Sequence, residues 1–162
     1  ESGAGEKKID EYRKFAISIS IISWLVGMAF NAFLRKTNFY QNKLTHLNFI
    51  KNKKVNKLIG IPAFKWIVKN TFFKFFNQKL KLRSKTTTAD LTYLRNEMTN
   101  SEIDHLVGFV FVTTFALFYF YKGKYLFCLI IMVINTLMNL YPSLLQQENK
   151  RRIDAFLKKL PV

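Results

Sequence analysis

Three long apolar runs dominate the hydropathy pattern of the chain. The first, Phe15–Leu34, contains 20 residues without a charge, which matches the ~20 residues that cross a ~30 Å hydrocarbon layer as a helix. The second, Leu106–Tyr121, contains 16 residues, and the third, Tyr125–Gln147, contains 23. Because only Lys122–Lys124 separates the second run from the third, these two are predicted to form a tight helical hairpin.

A fourth segment, Ile59–Phe76, is also apolar, but Lys65, Lys69 and Lys74 interrupt it. A lysine at the centre of a spanning helix is expensive, whereas a helix on the membrane surface can direct lysines to phosphates and aromatic side chains to acyl chains. Pro62 suits the first turn of such a helix. The segment is therefore predicted to be an interfacial or re-entrant amphipathic helix, with a structural helix packed across the bundle as the alternative.

These elements predict an all-α fold, an integral membrane bundle of about three transmembrane helices plus the interfacial or re-entrant amphipathic helix. The chain is divided as follows: an N-terminal tail at 1–14, whose start has the composition of a tag remnant; a first transmembrane helix at 15–34; a basic cytoplasmic segment at 35–100, with the interfacial helix at about 59–76; a transmembrane hairpin at 101–147; and a basic C-terminal tail at 148–162.

Composition and charge narrow the classes of protein that fit. Hydrophobic residues make up 49% of the chain, with 17 Phe, while the net charge is +16. Because the apolar and the basic residues are segregated along the chain, it is neither an ordinary soluble enzyme nor a disordered basic tail. Such a charge often indicates nucleic-acid binding, but here the basic residues face a membrane, so no nucleic-acid partner is expected. A lone Cys128 in an apolar run excludes a disulfide framework and a cysteine-based zinc site.

Positive charges in the short loops predict the orientation in the membrane. The segment Arg35–Arg95 holds 15 Lys and Arg, whereas the turn Lys122–Lys124 holds two. Four basic residues before the first run oppose this bias, but the larger count is expected to prevail. The chain is therefore predicted to be multi-pass, with the central segment and the C-terminus in the cytoplasm.

A carboxylate and an imidazole at the start of the second run are the strongest candidates for chemistry. Glu102 and His105 are three residues apart, so they share one face of a helix. A carboxylate beside an imidazole can orient it and raise its basicity, which prepares it to accept a proton from a hydroxyl. Two other interpretations stay open: Thr99 and Glu102 fit a capping box that opens the second helix, and the Glu102–His105 pair resembles half of a di-iron carboxylate site. No metal is expected, because the apolar runs contain no second such pair.

Amide side chains accumulate towards the end of the third run. Asn135, Asn139 and Gln146 fall on one broad helical face if Pro142 kinks the helix rather than ending it, and Asn149 follows them. Facing lipid, these amides would be costly unless they were hydrogen-bonded. They are predicted to meet the histidine end of the second run and to form a site there; interhelical hydrogen bonds that only hold the hairpin together are the alternative.

Two motifs and a basic segment carry a resemblance to a known family. The first motif is Glu97, Glu102 and His105 before the second run; the later motif is Asn139, Pro142, Gln146, Asn149 and Arg152; the segment is Lys65-Trp66. With these residues the chain resembles, over roughly Ile59–Leu157, the glycosyl-4,4′-diaponeurosporenoate acyltransferase family of small bacterial membrane proteins. The resemblance implies these roles: catalytic for His105, Glu102 and Glu97; substrate-binding for Lys65, Trp66, Asn139, Gln146, Asn149 and Arg152.

The resemblance also implies a function, the transfer of a fatty acyl group to a hydroxyl of a glycosylated or otherwise lipid-anchored acceptor in the bacterial cytoplasmic membrane. The acyl donor would be acyl-CoA or acyl carrier protein, and no cofactor is expected. No serine is framed as a nucleophile elbow, so direct transfer is the simpler scheme. Membrane lipids are expected partners, and a homo-oligomer or a membrane complex is compatible with this scheme. The alternative is a non-enzymatic small membrane subunit or adaptor that binds anionic lipids or a partner membrane protein.

The predicted orientation can be tested by cysteine labelling of intact cells. In a Cys128→Ser background, Asn52→Cys is expected to resist a membrane-impermeant maleimide, because the segment with the most positive charges stays in the cytoplasm. Lys122→Cys, in the opposite turn, is the control that should react. Efficient labelling of Asn52→Cys before lysis would reverse the orientation.

Overall fold

The computed structural model describes residues 2–70 and 87–159, and it confirms the all-α fold. It is 87% helical, with no strand in the described residues. The elements are α1 (Ser2–Leu34), α2 (Asn38–Asn42), a 3₁₀ turn (Leu44–His46), α3 (Lys53–Leu58), α4 (Ile61–Asn70), α5 (Thr88–Tyr121), α6 (Tyr125–Asn135), a π-helical turn (Thr136–Leu140) and α7 (Tyr141–Leu157).

Three helices in the described ranges are long and apolar enough to cross a membrane. They are Gly3–Leu34, Thr88–Tyr121 and Tyr125–Leu157, and the last of them joins α6, the π-helical turn and α7. Large apolar side chains such as Leu25 and Phe118 are exposed on their outer surfaces, as contact with lipid tails requires. The turn between α5 and α6 gives the tight hairpin that the sequence predicts.

The start of α5 differs from the capping interpretation of Thr99. The helix begins 11 residues earlier, at Thr88, where the Thr87 hydroxyl accepts from the backbone N–H of Asp90 and the Asp90 carboxylate accepts from the Thr87 N–H. Thr99 lies inside the continuous helix, and its hydroxyl donates to the carbonyl oxygen of Arg95 at 3.0 Å. A capping box at Thr99 and Glu102 is therefore wrong, because the N-terminal donors of the helix are satisfied elsewhere.

Both predicted tails are helical where the structure describes them. α1 begins at Ser2, and α7 continues to Leu157. α7 keeps its helical course because one of its faces is buried against α5: Ile153 packs with Leu91 and Met98. The basic C-terminal segment is therefore largely a part of the third long helix, and residues 160–162 lie outside the described residues.

Small side chains let α1 approach α5 closely. Ala16, Ser20 and Ser23 are fully buried, and they continue along the same face to Gly27. A Cβ atom at Gly27 would lie 2.1 Å from the carbonyl oxygen of Asp104, so only glycine fits this crossing. A stripe of small residues at helical spacing is a usual way for membrane helices to pack.

Aromatic side chains close the opposite end of the bundle, near the turn between α5 and α6. Tyr12 stacks on Phe127 with ring centroids 4.0 Å apart, and Phe15 makes edge contacts with Phe115 and Tyr119. α1 and α5 therefore run antiparallel, and the polar contacts described below lie at the other end of the same helices.

Pro142 bends the third long helix without ending it. Proline has no N–H, so the carbonyl oxygen of Met138, four residues earlier, loses its helical donor. The indole Nε1 of Trp24 donates to that oxygen at 3.3 Å, and the backbone forms the π-helical turn Thr136–Leu140 beside it. Such turns often occur at functional sites, and this one lies next to the candidate histidine.

The described part of the predicted interfacial helix packs on α7. The described part of α4 has 10 residues, about 15 Å at ~1.5 Å per residue. Ile61 is buried with Leu144 and Leu145, while Trp66 and Ile67 are exposed. Residues 71–76 of the predicted segment, including Lys74, lie outside the described residues.

The close crossing of α1 and α5 predicts a strong effect at Gly27. Gly27→Ala should destabilise the protein by about 1–3 kcal/mol, the usual cost of overpacking, and lower its melting temperature in detergent. Gly5→Ala on the same helix is the matched control, because nothing lies within 4 Å of its Cβ position. Equal melting temperatures for the two variants would contradict the packing described here.

Candidate functional site

A row of buried polar side chains runs along the face of the third long helix that meets α5. The row consists of Asn135, Asn139, Ser143, Gln147 and Lys150, each no more than 3% exposed; we call it the polar seam. The spacing of four, four, four and three residues keeps all five on one helical face. The face is continuous across Pro142 because the helix does not end there.

The C-terminal end of the polar seam contains a buried ion pair. The ammonium of Lys150 contacts Oε2 of Glu102 on α5, and the two side chains are 4% and 0% exposed. Nε2 of Gln147 donates to Oε1 of the same carboxylate at 2.8 Å. Both oxygens of Glu102 therefore have partners on α7, and the charge of Lys150 is balanced inside the protein.

The same two α7 side chains bind a stretch of backbone, residues 45–50, which we call the strap. Lys150 donates to the carbonyl oxygens of Thr45 and Leu47 at 3.4 Å each, and the backbone N–H of Phe49 donates to Oε1 of Gln147 at 2.9 Å. Backbone groups of the strap thus find hydrogen-bond partners on α7. The ion pair joins α5, α7 and the strap.

His105 lies one helical turn beyond Glu102, between α1 and the third long helix. Its ring meets the Trp24 indole edge-on, with centroids 6.2 Å apart and an interplanar angle of 89°. Asn139, on the third long helix, lies near enough to the imidazole to interact with it. The sequence predicts that Glu102 orients His105, but in the structure its carboxylate contacts Lys150 and Gln147 instead.

Asn139 belongs to a chain of amides in the polar seam. Its Nδ2 donates to Oγ of Ser23 on α1 at 3.0 Å and to Oδ1 of Asn135 at 2.9 Å. Nδ2 of Asn135 donates in turn to the carbonyl oxygen of Phe109 at 3.0 Å. The amides therefore bond to both neighbouring helices; the sequence predicts contacts with α5 for this face, and the bond to α1 is additional.

Gln146 and Asn149 lie beside the seam and face α5. Nε2 of Gln146 contacts Oγ of Ser101 at 3.4 Å, and Nδ2 of Asn149 donates to Oε1 of Gln146 at 3.3 Å. Glu97 lies further from His105 along α5, where Nδ2 of Asn100 contacts its carboxylate at 3.5 Å. The structure thus brings the two amides to the seam but places Glu97 in a different group of contacts.

Lys65 on α4 and Arg152 on α7 are near enough for their positive charges to interact. Burial lowers the pKa of Lys65, and the nearby positive charge of Arg152 lowers it further. Arg152 also pairs with Glu148 at 3.5 Å, which balances only part of the local charge. Trp66, the neighbour of Lys65, is 65% exposed and points away from the bundle. Two of the predicted binding residues therefore form a basic surface patch, separate from the seam.

A second buried polar group was not anticipated from the sequence. Nδ2 of Asn31 donates to Oδ1 of Asp104 at 2.7 Å, and the hydroxyl of Tyr40 donates to Oδ1 of Asn100 at 2.7 Å. Burial raises the pKa of the Tyr40 hydroxyl. These bonds attach the end of α1 and the short helix α2 to α5. The isolated Asn31 in a 20-residue apolar run was the available signal.

The ion pair between Lys150 and Glu102 was not predicted either, although the sequence position of Lys150 offered a signal. Lys150 follows Gln147 by three residues, so it extends the amide face by one helical turn. In the sequence it was counted as part of a basic tail. In the described ranges, no group of three His, Cys, Asp or Glu side chains could hold a metal ion.

Comparison with known proteins gives one family. A family model described as glycosyl-4,4′-diaponeurosporenoate acyltransferase matches residues 35–159, most of the chain and all of α5 to α7. Searches of curated proteins and of solved structures found no match.

The buried ion pair predicts a characteristic pattern of stabilities. Lys150→Met should destabilise the protein by about 3–5 kcal/mol, because it leaves a buried carboxylate without its counter-charge. Adding Glu102→Gln should recover part of that loss, since the uncompensated charge is then removed. Thermal unfolding in detergent measures both, with Lys158→Met at an exposed position as the control. Additive losses in the double variant would contradict the ion pair.

Proposed function

The chain belongs to the glycosyl-4,4′-diaponeurosporenoate acyltransferase family, and from that premise we propose that it transfers a fatty acyl group to a hydroxyl of a glycosylated or otherwise lipid-anchored acceptor. The observation that carries the proposal is the setting of His105. Its imidazole lies at one end of the bundle between three long helices, against Asn139 and the Trp24 indole. A histidine held in this way is suited to act as a general base.

The proposed reaction needs only the donor, the acceptor and one base. His105 takes the proton of the acceptor hydroxyl as its oxygen attacks the carbonyl carbon of an acyl thioester. The new C–O bond forms, the C–S bond breaks, and the imidazolium returns its proton to the leaving thiolate. The acyl donor is acyl-CoA or acyl carrier protein, and no further cofactor takes part.

In this proposal Glu102 acts as a positioning residue. Its carboxylate holds α7 through Lys150 and Gln147, and that contact sets the register of α5 against the polar seam one turn from His105. The family resemblance gives Glu102 and Glu97 catalytic roles. The contacts of Glu102 support a role in arranging the site, and those of Glu97 support no direct part in proton transfer.

The basic patch of Lys65 and Arg152 is the proposed docking site for phosphate groups of the donor or of anionic lipids. Two cations whose positive charges interact and are only partly balanced by Glu148 favour an anionic ligand. Trp66 is exposed beside them and suits the headgroup level of a membrane. With the central segment in the cytoplasm of a bacterial cell, donor and patch would lie on the same side. Gln146 and Asn149, between patch and seam, would contact substrate.

A non-enzymatic adaptor is the second candidate, and the exposed end of the molecule favours it. Leu58, Trp66 and Ile67 are exposed among the basic residues of α3 and α4, as in a surface that rests on anionic lipid. An adaptor would lose its function when charges in Lys51–Lys57 are reversed and would tolerate changes at His105. The enzyme requires His105.

Replacing the proposed base tests the enzyme directly. His105→Gln keeps a polar side chain of similar size but cannot accept a proton near neutral pH. The acyl ester that depends on the gene should fall by ~10²–10⁴-fold, the usual contribution of general acid–base catalysis, with membrane levels of the protein unchanged. Mass spectrometry of total lipid extracts measures the ester.

His46→Gln is the matched control, because His46 is the other histidine of the chain and is exposed on the strap. It should leave the ester unchanged. A fully active His105→Gln protein would end the proposal that this histidine is the base.

A further inference from the structure

The hydrogen bonds around Asn139 determine which way its amide faces. The hydroxyl of Ser23 donates to the carbonyl oxygen of Ser20 at 2.6 Å, so its single proton is already engaged and its oxygen accepts. Nδ2 of Asn139 lies 3.0 Å from that oxygen. An amide oxygen in the same place would face another acceptor, so Asn139 must direct its NH₂ group to α1.

Asn135 imposes the same orientation from the other side. Its own Nδ2 donates to the carbonyl oxygen of Phe109 at 3.0 Å and contacts Oγ1 of Thr113 at 3.3 Å. The hydroxyl of Thr113 donates to the Phe109 carbonyl oxygen at 2.7 Å, so it accepts from Asn135. Asn135 therefore presents its Oδ1 to Asn139, which again requires the NH₂ group of Asn139 in return.

Both protons of the Asn139 amide are used by these two contacts, and only its Oδ1 is left for His105. Oδ1 of Asn139 and Nδ1 of His105 are both buried atoms without a hydrogen-bond partner in the described part of the chain. The two side chains interact. An acceptor without a donor and a ring nitrogen without a partner, buried together, satisfy each other if the nitrogen carries the proton.

We propose that Asn135 and Asn139 form an amide relay that holds His105 in one tautomer, with Nδ1–H donating to Oδ1 of Asn139 and the lone pair of Nε2 directed to the acceptor hydroxyl. Asn139 and Asn135 are positioning residues, and the second acts only through the first. The catalytic part of this inference rests on the proposed function, whereas the tautomer itself does not.

Gly108 provides the space for the relay. A Cβ atom there would lie 3.0 Å from Oδ1 of Asn139 and 3.1 Å from the carbonyl oxygen and Oγ of Ser23. The missing side chain lets α1, α5 and the third long helix meet at the relay. A methyl group at this position would push directly on the amide oxygen that faces His105.

Nitrogen NMR of the histidine ring tests the tautomer. The chain has two histidines, so ¹⁵N-histidine labelling of the His46→Gln protein in detergent leaves one imidazole to observe. At a pH of about 8.5, well above the ordinary histidine pKa of ~6.5, the neutral ring should carry its proton on Nδ1. A proton on Nε2 in this protein would overturn the inference, whatever the activity.

Two variants then test the relay itself. Asn139→Leu removes the acceptor, and Asn135→Leu removes the partner that orients it, so each should convert the single Nδ1–H tautomer into a mixture or into Nε2–H. The gene-dependent acyl ester should fall by ~10–100-fold, as for outer-sphere partners elsewhere. Thr114→Val, which removes an exposed hydroxyl bonded only within α5, should change neither result.

The readouts separate the possible failures. An unchanged Nδ1–H tautomer in folded Asn135→Leu or Asn139→Leu protein would overturn the relay while leaving the proposed function intact. A fully active His105→Gln protein would remove the proposed function while leaving the tautomer in place. If neither leucine variant folds, the spectrum of the His46→Gln protein still decides which nitrogen carries the proton.

Discussion

A lysine and a glutamate that are both shielded from solvent stabilise each other only while they stay in contact, because either one alone would be an uncompensated buried charge. Lys150 and Glu102 are held under this constraint, and the contact joins three parts of the chain. Glu102 belongs to α5 and Lys150 to α7, and the same ammonium binds the carbonyl oxygens of the strap. The contact fixes Glu102 beside Lys150, one turn of α5 from His105.

The neutral groups of the polar seam are under a similar constraint, because each of them also needs a partner inside the protein. In a bundle whose outer surface faces lipid, each buried amide needs an internal partner, and Asn135 and Asn139 find theirs on α5 and α1. The close packing that makes these bonds possible comes from small residues, above all Gly27 and Gly108. The basic patch of Lys65 on α4 and Arg152 on α7 is separate, so in the proposed function an anionic donor would bind away from His105 on α5, where the proton is transferred.

The sequence was sufficient for the fold class, because long uncharged runs have few alternatives to spanning helices. It also predicted that Asn135 and Asn139 would bond within the bundle, since their spacing is helical and lipid offers them no partner. It could not predict which groups pair across helices. Glu102 and His105 share a face of α5, but whether the carboxylate turns to the imidazole or to Lys150 depends on the tertiary register. The continuation of α7 through the basic C-terminal segment depends in the same way on its burial against α5, which local charge density does not reveal.

The central claim is that this protein is an acyltransferase, and comparative lipid mass spectrometry tests it most directly. Total lipids would be compared from one bacterial host with the gene present, with the gene absent, and with the gene encoding His105→Gln. The account predicts a lipid class in the first sample alone that is heavier than its precursor by one fatty acid less water and loses its acyl group under mild alkali, as an ester does. Identical lipid profiles in all three samples, with the protein present in the membrane and the candidate acceptor available, would contradict it.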